Sequence, residues 1–282
     1  MNTKIADNLA CPIDGLILET NSKQWRCANN HSFDIARQGY VNLLPVQHKR
    51  SKHPGDSKEM VIARTNFLNS GVYQSLADAI TEIIGPLVGN KNMYNLLDAG
   101  CGEGYYFDYL FHKLEELGLE HSLSFIGLDI SKEAIVQASK RNKNISWIVG
   151  TNRHPPIAEA SVDIILCVFG FVSFKGFSRI LKPGGKLILV DPGAEHLKEL
   201  RDLIYDKVKI SDLTEIDTEL FFIESEKGCK FKTGGINNEN INHLLTMTPH
   251  LFRANKDGKK AASEIQELNL TVDVVIRTLT KV

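Results

Sequence analysis

The chain has little of what would set it apart from ordinary globular proteins. Its five cysteines are scattered through 282 residues, mostly inside apolar segments, which indicates no disulfide framework and suits a reducing compartment. Net charge is almost nil: 33 lysines and arginines stand against 34 aspartates and glutamates, giving −1. That excludes a global pull toward nucleic acid or anionic membrane, so any such contact must rest on a local patch. No apolar run approaches a membrane span. Residues 1–10 carry Lys4 and Asp7 and no apolar stretch, so no signal peptide is expected. Internal repeats and low-complexity runs are missing as well. What is present is 43% apolar and 24% charged residues, in a length that suits one large domain or a large and a small one, expected in the cytoplasm.

One stretch states a chemistry. Asn95-Leu96-Leu97-Asp98-Ala99-Gly100-Cys101-Gly102-Glu103-Gly104-Tyr105 reads as a buried strand ending on an acid, a tight turn with glycine at every second position, and a helix start. Glycines remove side chains so that a ligand can lie against the backbone, and a helix N-terminus offers free N–H groups. The surroundings repeat the pattern. A helix is expected over about 103–117, with Phe107, Leu110, Phe111 and Leu114 facing a sheet. Further strands are expected at 124–129, 145–149, 162–168 and 186–190, the last entered through Leu181-Lys182-Pro183-Gly184-Gly185. The β-rich end, residues 272–279, is expected to pair at one edge. Strands alternating with helices at this spacing predict an α/β fold with a doubly wound, mainly parallel Rossmann-like sheet.

The ligand can be narrowed. Dinucleotide folds prefer G-x-G-x-x-G, whereas this turn is G-x-G-x-G. Glu103 stands where a pyrophosphate would sit and would repel it. A second acid, Asp129, lies 25 residues beyond Gly104 at the end of the next strand, placed to accept from a ribose diol. A ligand with a diol, an amino group and a sulfonium fits both acids, namely S-adenosylmethionine. Together with the L-x-P-G-G turn, residues 94–190 resemble the class I S-adenosylmethionine-dependent methyltransferases. A dehydrogenase-like or non-catalytic Rossmann domain is the plainer alternative.

Upstream, Cys11-Pro12-Ile13-Asp14 and Cys27-Ala28-Asn29-Asn30-His31 form two knuckle-like turns. Cys11, Asp14, Cys27 and His31 can supply a tetrahedral zinc site; equally, the segment can be a small hairpin with Cys11 and Cys27 in its core and Asp14 opening a turn with Gly15. A connector follows in which Lys49, Arg50 and Lys52 stand with His48 and His53 before Pro54-Gly55-Asp56. Such a cluster can meet phosphates or simply be a solvated linker. Asp56-Ser57-Lys58-Glu59 is a capping-box pattern opening a helix that stops at Gly71. The expected organisation is a small module at 1–45, a basic linker and helix at 46–71, and a methyltransferase domain at 72–282.

Cys11-Pro12, Cys27, His31-Ser32-Phe33-Asp34, Gly39-Tyr40-Val41-Asn42-Leu43-Leu44-Pro45, Lys49-Arg50-Ser51, Pro54-Gly55-Asp56-Ser57, the glycine turn, Pro192-Gly193, His196-Leu197 and Met247-Thr248-Pro249 stand in one order. Over nearly its whole length the chain resembles the 23S ribosomal RNA guanine-N1 methyltransferase family. The resemblance implies a zinc-ribbon-like module that helps recognise an RNA hairpin, joined to a catalytic domain that methylates N1 of a guanine. It implies cofactor contacts from Tyr73, Gly102, Glu103 and His196, to which the reading of the glycine turn and the second acid adds Asp98, Gly100, Gly104 and Asp129, and it implies zinc ligands at Cys11, Cys27 and His31. Position 14 departs from the family, which has cysteine there; Asp14 leaves either a weaker, harder Cys₂-His-Asp site or a module without metal. A homodimer is compatible with the resemblance, and no membrane partner is expected.

Methyl transfer is an in-line displacement whose demand is placement. Guanine N1 must also lose a proton, and the base must leave its stack. Phe169, Phe171 and Phe174 follow the fourth strand where a base can stack, although core or lid is the commoner fate of such residues. Asp191, Glu195 and His154 are candidates for the proton acceptor by position alone. The competing readings are a small-molecule methyltransferase with the N-terminal module as a lid, and a non-catalytic RNA-binding adaptor.

Overall fold

The computed structural model describes residues 6–21, 23–48, 51, 54–88, 93–119, 123–205, 212–248 and 264–282. Three short strands near the start, β1 (Glu19–Thr20), β2 (Gln24–Arg26) and β3 (Ser32–Asp34), make a small antiparallel sheet. After them come β4 (Tyr40–Asn42), α1 (Lys58–Asn69), α2 (Gln74–Ile84), β5 (Tyr94–Ala99), α3 (Tyr105–Glu116), β6 (Leu123–Asp129), α4 (Lys132–Arg141), β7 (Ser146–Val149) and β8 (Val162–Val168). The chain ends with α5 (Phe174–Ile180), β9 (Leu181–Pro192), α6 (Lys198–Ile204), β10 (Phe221–Asn237), α7 (Asn238–Met247) and β11 (Glu267–Lys281).

β4 to β11 form one eight-stranded sheet in the order β10-β11-β9-β8-β5-β6-β7-β4. Every pair from β4 to β9 is parallel, and β11 and β10 close the other side antiparallel. The winding runs outward from β5 through β6 to β7, then returns to the far side of β5 at β8, as a doubly wound α/β sheet requires. This reversal puts α5 on the face opposite α3 and α4.

Period-2 alternation divides the core. Leu96, Phe125, Ile164, Leu166 and Ile188 pack with Phe107, Leu110, Phe111 and Leu114 of α3 and with the other helices of that side. Their neighbours Leu97, Ile126, Ile165, Leu187 and Leu189 face α5 together with Leu9, Cys11, Leu18, Trp25 and Cys27. The N-terminal segment therefore covers much of the second face, and its apolar side chains belong to the main core. No helix among the described residues is long and apolar enough to cross a membrane.

Local signals account for the helix starts. Ser57 caps α1 through its hydroxyl, which accepts from Met60 N–H at 3.3 Å, and Gly71 follows the helix with φ +81°. One expectation is corrected: residues 272–279 lie in β11, which pairs with both β9 and β10, so they are interior and β10 forms the edge. β10 escapes sequence reading because its charged side chains are exposed along most of its length and leave no apolar alternation.

Candidate active site and metal centre

β5 sits at the reversal of strand order, and the carboxyl ends of β5, β6 and β8 open onto a cavity of about 500 Å³. The turn after Asp98 is tied to β6, since Gly100 and Cys101 N–H both donate to Leu128 O at 2.7 and 3.0 Å. Gly100 (φ +87°), Gly102 (φ +56°) and Gly104 (φ +85°) all have left-handed backbones, which explains glycine at alternate positions. Their surroundings differ. Gly100 and Gly102 line the cavity, whereas a Cβ at Gly104 would stand 2.6 Å from the Trp147 ring. Gly127 meets the same ring, at 2.2 Å, so Trp147 is seated between β6 and the start of α3 by two absent side chains. Gly104 thus serves packing beneath the turn, not the wall itself.

Tyr73, Asp98, Gly100, Gly102, Glu103 and Asp129 all line the cavity. His196 stands behind them, with Nε2 3.5 Å from the Tyr73 hydroxyl and its ring 5.4 Å from that of Phe169. Asp129 is fixed by two backbone donors, Gly102 N–H at 2.9 Å to Oδ2 and Ser131 N–H at 2.7 Å to Oδ1. Asp98 and Glu103 are only 2% and 1% exposed. Burial pushes the Asp98 carboxyl well above its usual range, and the neighbouring Asp129 and Glu103 add to this. Burial also raises Glu103, against the opposing pull of Arg141 and Arg64. Asp129 is raised by burial in spite of its two N–H donors.

Two arginines that sequence reading did not single out partly balance these acids. Arg141 donates to Glu103, from Nε to its backbone oxygen at 3.2 Å and from Nη2 to Oε1 at 3.3 Å. Arg64 pairs with Asp56 and reaches Met247 O at 3.2 Å. They come from α4 and α1, and no local sequence signal links them to the turn. The described wall holds Asp56, Asp98, Glu103 and Asp129 with Arg64 and Arg153, and Arg141 reaches Glu103 from behind the wall. Such a set of carboxylate acceptors fits a ligand with a diol and cationic groups, and S-adenosylmethionine is one.

In the N-terminal segment, Cys11 Sγ, Asp14, Cys27 Sγ and His31 bring one ligand atom each within 4.8 Å of one another. His31 Nδ1 lies 3.5 Å from both sulfurs and 2.9 Å from Asp14 Oδ2. The two turns are built alike: Gly15 N–H donates to Cys11 O at 2.8 Å with Gly15 at φ +77°, and Asn30 N–H to Cys27 O at 2.9 Å with Asn30 at φ +66°. Burial lifts the Cys11 thiol to about 11, so a metal must displace its proton. Desolvation raises the Asp14 carboxyl, but the hydrogen bonds it accepts from Cys11, Leu16, Asn29 and Cys27 outweigh this and hold it below its ordinary range. Two sulfurs, one nitrogen and one oxygen converging this way fit a tetrahedral zinc ion.

Between the two centres runs residues 150–158. Asn152 and Arg153 line the cavity, while Pro156 O accepts from Ala10 N–H at 3.0 Å and Ala158 N–H donates to Asn8 O at 2.8 Å. Phe169 and Phe171 stand at the cavity rim, 41% and 54% exposed. Phe174 instead packs against Phe221, at 5.6 Å between ring centroids. None of the three positional candidates for proton acceptor is on the cavity wall. Asp191 is taken by Arg277 and Thr214, Glu195 pairs with Lys230, and His154 is exposed beside Arg153. Lys49, Arg50, Lys52 and His53 of the basic connector, and Pro249, lie outside the described residues.

A zinc-ribbon family model described as "RlmA, N-terminal" matches residues 9–52, and one described as a methyltransferase domain matches residues 97–189. A relative from Bacillus subtilis (strain 168), provisionally named 23S rRNA (guanine-N(1)-)-methyltransferase YxjB, is 30% identical over 276 residues, covering 94% of this chain and 94% of its own. A Streptomyces fradiae protein named 23S rRNA (guanine(748)-N(1))-methyltransferase is 33% identical over 205 residues, 72% of this chain and 70% of its own. A Micromonospora griseorubida relative, provisionally named for the same guanine-N1 reaction, is 35% identical over 219 residues, 72% of this chain and 71% of its own. Matched from the metal cluster through the catalytic sheet, the chain belongs to the 23S rRNA (guanine-N1)-methyltransferase family.

Proposed function

We propose that this protein transfers a methyl group from S-adenosylmethionine to N1 of a guanine in a hairpin of 23S ribosomal RNA, in the cytoplasm. The observation that carries the reading is the continuity of two sites in one fold. The acid-lined cavity and the metal cluster share residues 150–158, one end on the cavity wall and the other hydrogen-bonded to the segment that leads into Cys11. A small-molecule enzyme needs no such second centre, and a mere adaptor needs no buried acids.

The cofactor supplies, when bound, a methyl group made electrophilic by a sulfonium. The chain's own part is to hold and orient. Asp129, already fixed by Gly102 and Ser131, is set to accept from a ribose diol, and the lack of a side chain at Gly100 and Gly102 allows close approach. Glu103 and Asp98 offset positive charge in a poorly hydrated wall, and Tyr73, backed by His196, closes the side facing α1 and α2. Cys11, Asp14, Cys27 and His31 would hold zinc, which would fix the two turns that adjoin residues 150–158. The proposed division is a metal module at 1–45, a linker and helix at 46–71 that brings the basic run to RNA phosphate, and the methyltransferase domain at 72–282. A homodimer is decided by sedimentation of the purified protein.

The test is to incubate the purified protein with unmodified ribosomal RNA and labelled cofactor and to map the product. Label is expected at N1 of a guanine in the large-subunit RNA, and no label in any guanine sinks the proposal. Replacing Lys49, Arg50 and Lys52 by glutamine is expected to abolish RNA methylation while cofactor affinity stays at wild type.

A further inference from the structure

The rim of the cavity carries a feature that the cofactor does not explain. Phe171 is more than half exposed, and Phe169, 41% exposed, stands two residues before it on the same cavity wall. Rings left this open at the mouth of a cavity whose floor is the acid-lined glycine turn point to something apolar and flat that arrives later. Both are held rigidly. Phe169 has φ +51°, a left-handed backbone that a bulky residue adopts only where its surroundings impose it. Here Phe169 N–H donates to Val190 O at 3.0 Å, and Gly170 beside it is so tightly seated that a Cβ would lie 3.0 Å from Cys167 Sγ and 3.2 Å from Ala99 O. Asn152 Nδ2 donates to Phe171 O at 2.9 Å and fixes the other end of the turn.

Arg153 completes the arrangement. Its guanidinium lies 4.7 Å from the centroid of the Phe171 ring, and it forms no ion pair with a carboxylate among the described residues. One face of Phe171 is therefore covered by a cation whose guanidinium makes no hydrogen bond among the described residues, while the residue as a whole stays 54% exposed at the cavity rim. Aromatic rings next to unpaired guanidinium groups are how proteins hold an unstacked base and its phosphates.

We propose that Phe171, clamped on one face by Arg153, is the platform on which the extruded guanine stacks, with Phe169 as the fixed wall beside it. This rests on the RNA-methyltransferase reading above. Stacking is tolerant of base identity, so the platform holds the guanine against the methyl donor and does not select it. Asn152 is a positioning residue: it acts through the Phe171 backbone.

The experiment uses the full-length protein, the methylatable hairpin found by product mapping, and the same hairpin with 2-aminopurine in place of the target base. Phe171→Ala is expected to lower kcat/KM for the hairpin on the order of 10- to 100-fold, the range of one lost base–aromatic stack, with cofactor Kd and Tm unchanged. Phe171→Trp is expected to keep methylation and to quench the 2-aminopurine fluorescence that wild type enhances. Arg153→Ala is expected to raise KM for RNA and to flatten its salt dependence by about one phosphate contact. If wild type methylates a guanine and Phe171→Ala does so equally well at limiting RNA, the platform is wrong while the function stands. If Phe171→Trp leaves the fluorescence as in wild type, the base stacks elsewhere and the platform is likewise wrong. If wild type methylates no guanine, both readings fall together.

Discussion

Three carboxyl groups from the ends of two adjacent strands and the turn between them share one small volume. Asp98, Glu103 and Asp129 are each raised above their ordinary range, first by burial and then, for Asp98, by one another. An acid whose folded value is raised binds protons that the unfolded chain would release at the same pH. The apoprotein is therefore expected to lose stability as pH rises from the ordinary carboxylate range through the raised values, with no further loss above them. A cationic ligand reverses the effect, because it favours the ionised forms and expels those protons. Calorimetric titration with S-adenosylmethionine in buffers of different ionisation enthalpy is expected to show net proton release at pH values between the ordinary carboxylate range and the raised ones, fading above them. Proton uptake, or none, would show that the three acids do not face the cationic end of the cofactor. These acids were legible in the sequence because a strand-ending acid, a glycine turn and a second acid one strand later are local signals. Arg64, Arg141 and Trp147 were not, since helix and sheet packing brings them from elsewhere in the chain, and the same packing turned Gly104 from a supposed wall residue into the floor for Trp147.

At the level of elements, the C-terminal half of the sheet is held by a contact that only the fold reveals. Asp191 ends β9 and Arg277 lies in β11, and both are buried. Arg277 Nη2 donates to Asp191 and, at 2.9 Å, to Thr214 O, while the Thr214 hydroxyl donates to Asp191 Oδ1 at 2.7 Å. The trio fastens the segment before β10 onto the sheet, which is why Asp191, attractive by position, is not available as a proton acceptor. Removing one member of a buried pair leaves the other uncompensated, so Arg277→Met or Asp191→Leu is expected to cost about 3–5 kcal/mol in urea unfolding. The double variant is expected to cost less than the two single costs added together, and strict additivity would mean that the pair is not energetically coupled. In sequence, β5 to β9 showed as apolar runs because both faces of a parallel sheet are covered. β10 did not, because an edge strand with one solvated face and lysines reaching Glu82, Glu195 and Glu199 carries its information in ion pairs between elements.

For the whole molecule, the N-terminal module takes the place of a helix on the second face of the sheet. Leu9, Leu18 and Trp25 are buried in one apolar cluster with Ile157, Phe177 and Ile180, so this part of the module is expected to stay docked after metal removal. What metal holds is the pair of turns around Cys11 and Cys27, and among the described residues their backbone link toward the cavity wall runs from Ala10 to Pro156 in residues 150–158. Chelation is therefore expected to speed amide exchange in the two turns and along residues 151–158, while β5 and β6 keep their protection. Asp14 sets how readily this happens. It offers zinc a carboxylate oxygen where a thiolate binds more strongly, and its side chain is 18% exposed and already engaged by Leu16 and Asn29. Asp14→Cys is expected to retain zinc at chelator concentrations at least about tenfold above those that strip the wild type, read by metal analysis after dialysis. Equal loss from both proteins would show that Asp14 does not limit affinity. Unchanged exchange at 151–158 after complete metal removal would show that the loop is held by the apolar interface alone.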